Sequence, residues 1–352
     1  MKQLGLLLDW KFRYTLCALL ILLTPTWCNA TSSAQDDAEF RFIAYGDTRG
    51  DGSESVSPLH VDIVGLYIQH DPDLIIHSGD MVNHGGESYQ WPLFNDSMTA
   101  VWELGIPFYG AAGNHEVYTD VWGVSDDDYS NYLDYFDYTD VIDQPGETEL
   151  HYSFDMDGIH FIILNTVEEW TYNDFTCSTA QMNWLEDDLA AGHEFIVVAF
   201  HNPAWSIRAD RPERWAQAES IRNTFHSMFI DNGVDIVFNG HDHCYYRTVR
   251  DGIFYVITGG GGAPLCEIQT EDTVWQDGDV GFSDYHYCLA KVASGLLSVE
   301  VYLMNGTVAD DFDLDVSAAS PPPLFEGTTL IVVGTVVVIA LLVIVALRRR
   351  AQ

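Results

Sequence analysis

Two aspartates, one asparagine and three histidines in this chain each stand at or just past the end of a short hydrophobic run. Phe40–Tyr45 leads into Gly46-Asp47, and Leu74–Ser78 leads into Gly79-Asp80. Phe108–Ala112 leads into Gly113-Asn114-His115-Glu116, and Ile236–Asn239 into Gly240-His241-Asp242-His243. A fifth run, Phe195–Phe200, ends directly on His201. Carboxylate, amide oxygen and imidazole are the donors that hold divalent and trivalent cations. A carboxylate has two oxygens and can serve two ions at once, and Asp80 is the best candidate for that bridge. Asp47 then adds charge at the first ion and Asn114 a neutral oxygen at the second, with His201, His241 and His243 completing the shells. Two ions roughly 3.5–4 Å apart clamp a phosphoryl oxygen and lower the pKa of a bridging water. The chemistry expected is hydrolysis by in-line attack of a metal-bridging hydroxide. His115, on the lip of the Asn114 turn, is placed to protonate the leaving oxygen or bind the transition state. Glu116 is expected to orient the His115 ring, and Arg49 to hold a phosphate oxygen with its planar fork.

For these residues to converge, the runs must be strands of open sheets, whose carboxyl ends gather ligands. The pattern agrees. A strand at 40–45, a helix near 59–70, a strand at 74–78, a helix near 89–104 and a strand at 107–112 alternate as βαβαβ. A short helix at 129–138, a hairpin around Asp157-Gly158 and a helix at 179–190 capped by Ser178 or Thr179 follow. A strand at 195–200, a helix at 213–231 and a strand at 235–239 come next. Short strands at 245–250, 253–258, 285–293 and 296–304 close the series. The expected fold is α/β: two mixed β-sheets packed as a sandwich and flanked by helices, in one domain over 39–316. Gly259–Gly262 follows a strand without opening a helix, so it reads as a tight turn beneath the site. Arg208 and Arg211 read as solvated charges. His160, His193 and the other remaining histidines read as ordinary structural or surface residues.

In order and spacing, Gly-Asp, Gly-Asp, Gly-Asn-His-Glu, an isolated His and Gly-His-Asp-His resemble the calcineurin-like metallophosphoesterases. The style is similar to the purple acid phosphatase branch, including Gly259–Gly262 followed by Ala263-Pro264. The resemblance covers about residues 40–304 and implies a dinuclear centre of iron, zinc or manganese and a small phosphate-ester substrate. It departs at two positions. Arg49 stands where many members carry a histidine two residues after the first Asp. Asn83 stands where purple acid phosphatases carry a tyrosine three residues after the second. The first metal is therefore one protein ligand short unless Asn83, His84 or water fills the gap, and without the tyrosinate a coloured ferric site is not expected. Phosphodiesterase action on nucleotide or lipid headgroup esters uses the same donors. A surface binding protein with a degenerate site is a further alternative.

The ends point to a location. Residues 1–30 have the layout of a secretory signal peptide. Residues 317–327, with Pro321-Pro322-Pro323, read as a stiff stalk. Residues 328–347 are apolar and long enough to cross a bilayer, and Arg348-Arg349-Arg350 within a basic tail at 348–352 places that end in the cytoplasm. The expectation is a single-pass cell-surface protein, held to the membrane by a C-terminal transmembrane helix, with an extracellular catalytic body. The chain carries 53 acidic and 15 basic residues, and 52 of the acids but only nine of the bases fall within 31–327. Such a surface repels polyanions, so no nucleic-acid polymer is expected as partner or substrate. Cys177, Cys244, Cys266 and Cys288 remain outside the leader, and in an oxidising compartment they suggest two disulfides with three possible connectivities.

Overall fold

The computed structural model describes residues 39–51, 54–118, 129–168, 177–211, 213–271 and 274–315. The expected leader, stalk, transmembrane helix and basic tail lie outside these residues. Among the described residues, no helix is long and apolar enough to cross a membrane.

Thirteen strands in two mixed sheets are described. The first sheet is built on β1 (Phe40–Tyr45), β2 (Leu74–His77) and β3 (Phe108–Gly110), which run parallel. It is extended antiparallel from β1 by β11 (His286–Ala293), β12 (Leu296–Leu303) and β13 (Val308–Asp315). The second sheet is parallel through β5 (Ile159–Ile163), β6 (Ile196–Ala199), β7 (Ile236–Asn239) and β9 (Ile253–Thr258). Antiparallel strands flank that group: β4 (Tyr152–Met156) on one side, β8 (Tyr245–Arg250) and β10 (Val280–Phe282) on the other.

Strands buried on both faces read as continuous apolar runs. Accordingly β2, β5, β6 and β7 have no exposed residue. Phe42 of β1 packs edge-on against Phe161 of β5 at 5.4 Å and Phe238 of β7 at 6.1 Å, which joins the sheets through one aromatic core. The outer face of the second sheet is covered by α5 (Thr179–Leu189) and α6 (Glu213–Asn232), with Ile162, Val198, Leu185, Phe225 and Phe229 among the contacts. The other described helices are α1 (Leu59–Tyr67), α2 (Trp91–Ser97), α3 (Thr99–Leu104) and α4 (Ser130–Tyr135). Ser178 caps α5, its hydroxyl accepting from the Gln181 N–H at 3.2 Å.

Three expectations need correction. The helix expected at 89–104 is two helices, because Met98 leaves helical geometry at φ −95° and ψ 5°. The sandwich has two further edge strands, β10 and β13, beyond those the sequence pattern shows. The four cysteines are free thiols rather than two disulfides. Cys288 is packed in the inter-sheet core and Cys177 against the core beneath α5, so those two have no route to each other. Cys244 and Cys266 do lie against each other, and that contact together with burial raises the Cys244 thiol.

Candidate metal centre

The turns after β1, β2 and β7 share an unusual backbone. Asp47, Asp80 and His241 all lie in the left-handed region, with φ of 59°, 58° and 69°. That conformation costs non-glycine residues of order 1–3 kcal/mol each, and it recurs where side chains must be aimed at a function. Here it turns each residue inward at the carboxyl end of its strand. Close packing locks the turns together. A Cβ on Gly113 would meet the Asp80 carboxylate, and one on Gly259 would meet the Asp242 carbonyl and Asp47 Oδ2, so both positions require glycine. The Gly259–Gly262 turn lies beneath the site as expected, with the Gly261 N–H donating to the Gly46 carbonyl at 2.9 Å.

All six expected donors converge, and each is buried. His201 Nδ1 donates to the Ser78 carbonyl at 2.8 Å, which leaves Nε2 with its lone pair. Around that nitrogen stand Asn114 Oδ1 at 3.1 Å, His241 Nδ1 at 3.0 Å and Asp80 Oδ1 at 3.3 Å. His243 Nδ1 likewise donates to the Pro264 carbonyl at 2.6 Å, and its Nε2 faces Asp47 Oδ1 at 3.4 Å. Asp47 Oδ1 is buried with no hydrogen-bond partner, while its Oδ2 accepts from the His241 N–H at 2.9 Å.

Donor atoms of Asp80, His201 and His241 lie within 4.8 Å of one another, as do those of Asp47, Asp80 and His243. Asp80 belongs to both groups, as a bridging carboxylate must. Lone pairs that face lone pairs need positive charge between them, so the residues present fit a pair of cations. The electrostatics agree. Burial pushes the His201 ring down, but Asp80 and Asp47 pull its pKa up to about 9, so the carboxylates make this spot favourable for positive charge. Burial opposes ionisation of Asp80, yet His201, His115 and Arg49 hold its carboxyl well below the usual range.

The neighbouring residues divide. His115 lies at the rim as expected: its N–H donates to Asp80 Oδ1 at 2.9 Å and its Nε2 stands 3.9 Å from Asp80 Oδ2. Glu116 does not orient that ring. Its carboxylate accepts from the backbone N–H groups of Gly113 at 2.6 Å, Asp80 at 2.8 Å and Met81 at 2.8 Å, pinning two ligand turns together. The His115 ring is instead held by the Asn83 carbonyl, 2.7 Å from Nδ1. Arg49 reaches inward, with Nε 3.5 Å from Asp80 Oδ2 and Nη2 3.5 Å from His243 Nε2. Asn83 Oδ1 accepts from Arg49 Nη1 at 3.3 Å, and His84 Nδ1 is engaged by Gln90 at 3.2 Å. His84 belongs to neither of the two donor groups.

Arg208 is buried rather than solvated, paired with Asp210 at 2.9 Å and donating to the His241 carbonyl at 3.4 Å. Asp242, between His241 and His243, is fixed by the Ser206 hydroxyl at 2.5 Å. Sequence reasoning missed Arg214 altogether. Its Nη1 is buried without a hydrogen-bond partner, and its charge acts on Asp242, Asp80 and His241. Its place near the start of α6, close in sequence to the loop after His201, was the available signal.

Comparison with known proteins points the same way. The model of the family described as calcineurin-like phosphoesterase matches residues 40–245. Purple acid phosphatase 15 of Arabidopsis thaliana is 26% identical over 239 residues, covering 57% of this chain and 42% of the relative. The phosphoenolpyruvate phosphatase of Allium cepa is 26% identical over 253 residues, covering 68% of this chain and 48% of the relative. This chain thus spans about half the length of the curated relatives it matches. Among solved structures, the purple acid phosphatase PPD1 of yellow lupin (Lupinus luteus) superposes with a TM-score of 0.66 at 21% identity, over 80% of this chain and 56% of that one. It shares the fold.

Proposed function

Since the chain belongs to the calcineurin-like phosphoesterase family, we propose that it is a two-metal phosphatase that releases phosphate from small monoesters. The observation that carries this reading is the pair of buried donor groups sharing Asp80. Asp47, Asp80, Asn114, His201, His241 and His243 would hold the two cations, which when bound would supply Lewis acidity toward phosphoryl oxygens and acidify water.

The remaining work falls to the chain's own groups. Arg49 lines the Asp80 and His243 side and offers its fork to a phosphate oxygen. Arg214 brings a second positive charge to the His241 side, which suits a dianionic substrate. With Nδ1 committed to the Asn83 carbonyl, His115 presents Nε2 to the leaving oxygen. Burial, then the Arg49 charge, lowers that ring's pKa to about 3, and a phosphate dianion against it acts in the opposite sense. Glu116 holds the Asp80 and Gly113 turns in register, so the donors need no rearrangement on substrate binding.

The reading extends to the cell surface. It is supported by the leader-like residues 1–30, the apolar stretch 328–347 before Arg348-Arg349-Arg350, and the acid-rich body between them. The full chain, purified in detergent and loaded with Mn²⁺, Zn²⁺ or iron, should hydrolyse an aryl monophosphate faster than a bis-aryl phosphate. Absence of turnover with every metal defeats the proposal, and faster diester cleavage makes the protein a phosphodiesterase.

A further inference from the structure

A second cluster of metal-ligating side chains lies at the other end of the second sheet. Asp155 of β4 pairs in register with His160 of β5, across the Asp157-Gly158 turn. His160 has a carboxylate against each ring nitrogen: Asp155 Oδ1 at 2.7 Å from Nδ1, and Asp188 Oδ2 at 2.9 Å from Nε2. Asp188, buried on α5, accepts further hydrogen bonds from the Ser153 hydroxyl at 2.9 Å and the Gln144 amide at 3.2 Å. His193, between α5 and β6, stacks on His160 with ring centroids 3.5 Å apart and planes 8° from parallel. Its Nδ1 is 3.9 Å from Asp155 Oδ1, and its Nε2 is buried with no hydrogen-bond partner. Donor atoms from Asp155, His160 and His193 fall within 4.8 Å of one another.

A neutral imidazole carries one N–H. Asp188, held as an acceptor by Ser153 and Gln144, takes it from Nε2, and Nδ1 then turns its lone pair toward a carboxylate oxygen at 2.7 Å. Two lone pairs at that distance repel unless a proton or a cation lies between them. The Asp188–His160 pairing is the arrangement that fixes tautomer and ring orientation in metal-binding histidines, with the carboxylate itself anchored. His193 adds a second imidazole, and two imidazoles with one carboxylate suit zinc and its neighbours among the divalent transition metals.

We propose that Asp155, His160 and His193 form a separate site for one divalent ion of the zinc type, with Asp188 orienting His160. The His193 ring, 21% exposed, swings out of the stack to bind, and the 73%-exposed Asp155 leaves the site open to solvent. The ion joins the β4–β5 hairpin to the α5–β6 connection. It lies at the amino ends of the parallel strands, about 13 Å of strand from the catalytic edge. Its role is therefore to hold that edge together, apart from the hydrolytic reaction.

Zinc content and melting temperature of the zinc-loaded full chain, compared with H193A and D155A, test this. The wild type should hold one zinc more per chain than either variant and melt higher only when zinc is present. Both variants should keep the wild-type phosphatase rate, and neither should melt higher when zinc is added. Asp188→Asn should weaken the extra site 10–100-fold. Equal zinc content in wild type and H193A overturns the proposal. So does a His160 resonance that titrates with pH but does not respond to zinc. The readout is the difference between proteins, so failure here is distinct from failure of the catalytic centre.

Discussion

Gly113→Ala probes how closely the donor turns are built. A Cβ at Gly113 would stand 2.5 Å from the Asp80 backbone nitrogen and 3.0 Å from Glu116 Oε2, besides meeting the Asp80 carboxylate itself. An ordinary contact needs about 3.4 Å, so the Asp80 turn must retreat by roughly 0.9 Å. It cannot do so freely, because Glu116 ties the Asp80 and Gly113 N–H groups to one carboxylate oxygen. Overpacking of this kind costs about 1–3 kcal/mol. A shift near 1 Å at a reacting centre costs about 100-fold in rate. The variant should fold, melt lower, bind the catalytic metals more weakly and turn over an aryl phosphate about 100-fold more slowly at saturating metal. Wild-type kcat and wild-type metal content in folded Gly113→Ala would refute the claim that Asp80 is held by this contact.

Gly65, inside α1, has nothing within 4 Å of its missing Cβ, so Gly65→Ala should stabilise the fold by about 0.5–1 kcal/mol in urea melts without altering turnover. Arg49→Ala should raise KM for a monoester about 10–100-fold while kcat stays within a few-fold; an unchanged KM removes Arg49 from substrate binding. Burial pushes the Asp235 carboxyl up to about 6, so its protonated form favours the fold. That contribution is complete below the unfolded pKa near 4 and is lost as pH rises through about 6. Asp235→Asn, whose amide oxygen can keep the hydrogen bond from the Ile196 N–H, should therefore be more stable than wild type at pH 7.5 by about 2–3 kcal/mol and similar at pH 3.5. Parallel stability curves for the two proteins would contradict this.

The strands that carry the donors were legible because burial on both faces makes them continuous apolar runs, each ending at a glycine or at the ligand itself. β13 was not. Its sequence Val-Ala-Asp-Asp-Phe-Asp-Leu-Asp alternates only at its end, where Phe312 and Leu314 turn inward. Glu116 was misplaced because adjacency to His115 suggested a contact between the two side chains. The turn sends His115 toward the rim and Glu116 beneath it, where three backbone N–H groups converge. Arg208 was misread for a related reason. Nothing local in the sequence shows that the loop after β6 folds back under His241, where Asp210 and the His241 carbonyl meet the guanidinium. Local pattern reports which side chains leave the end of a strand; which loops cross behind them is decided by contacts distant in sequence.

Metal content of the Mn²⁺-loaded protein, read together with the spin coupling between its ions, bears most directly on the shared carboxylate. Wild type should hold two magnetically coupled ions in the catalytic centre, and Asp80→Ala should lose both along with turnover. An Asp80→Ala protein that retains a coupled pair, or a wild type with one isolated ion there, would contradict the bridging role of Asp80.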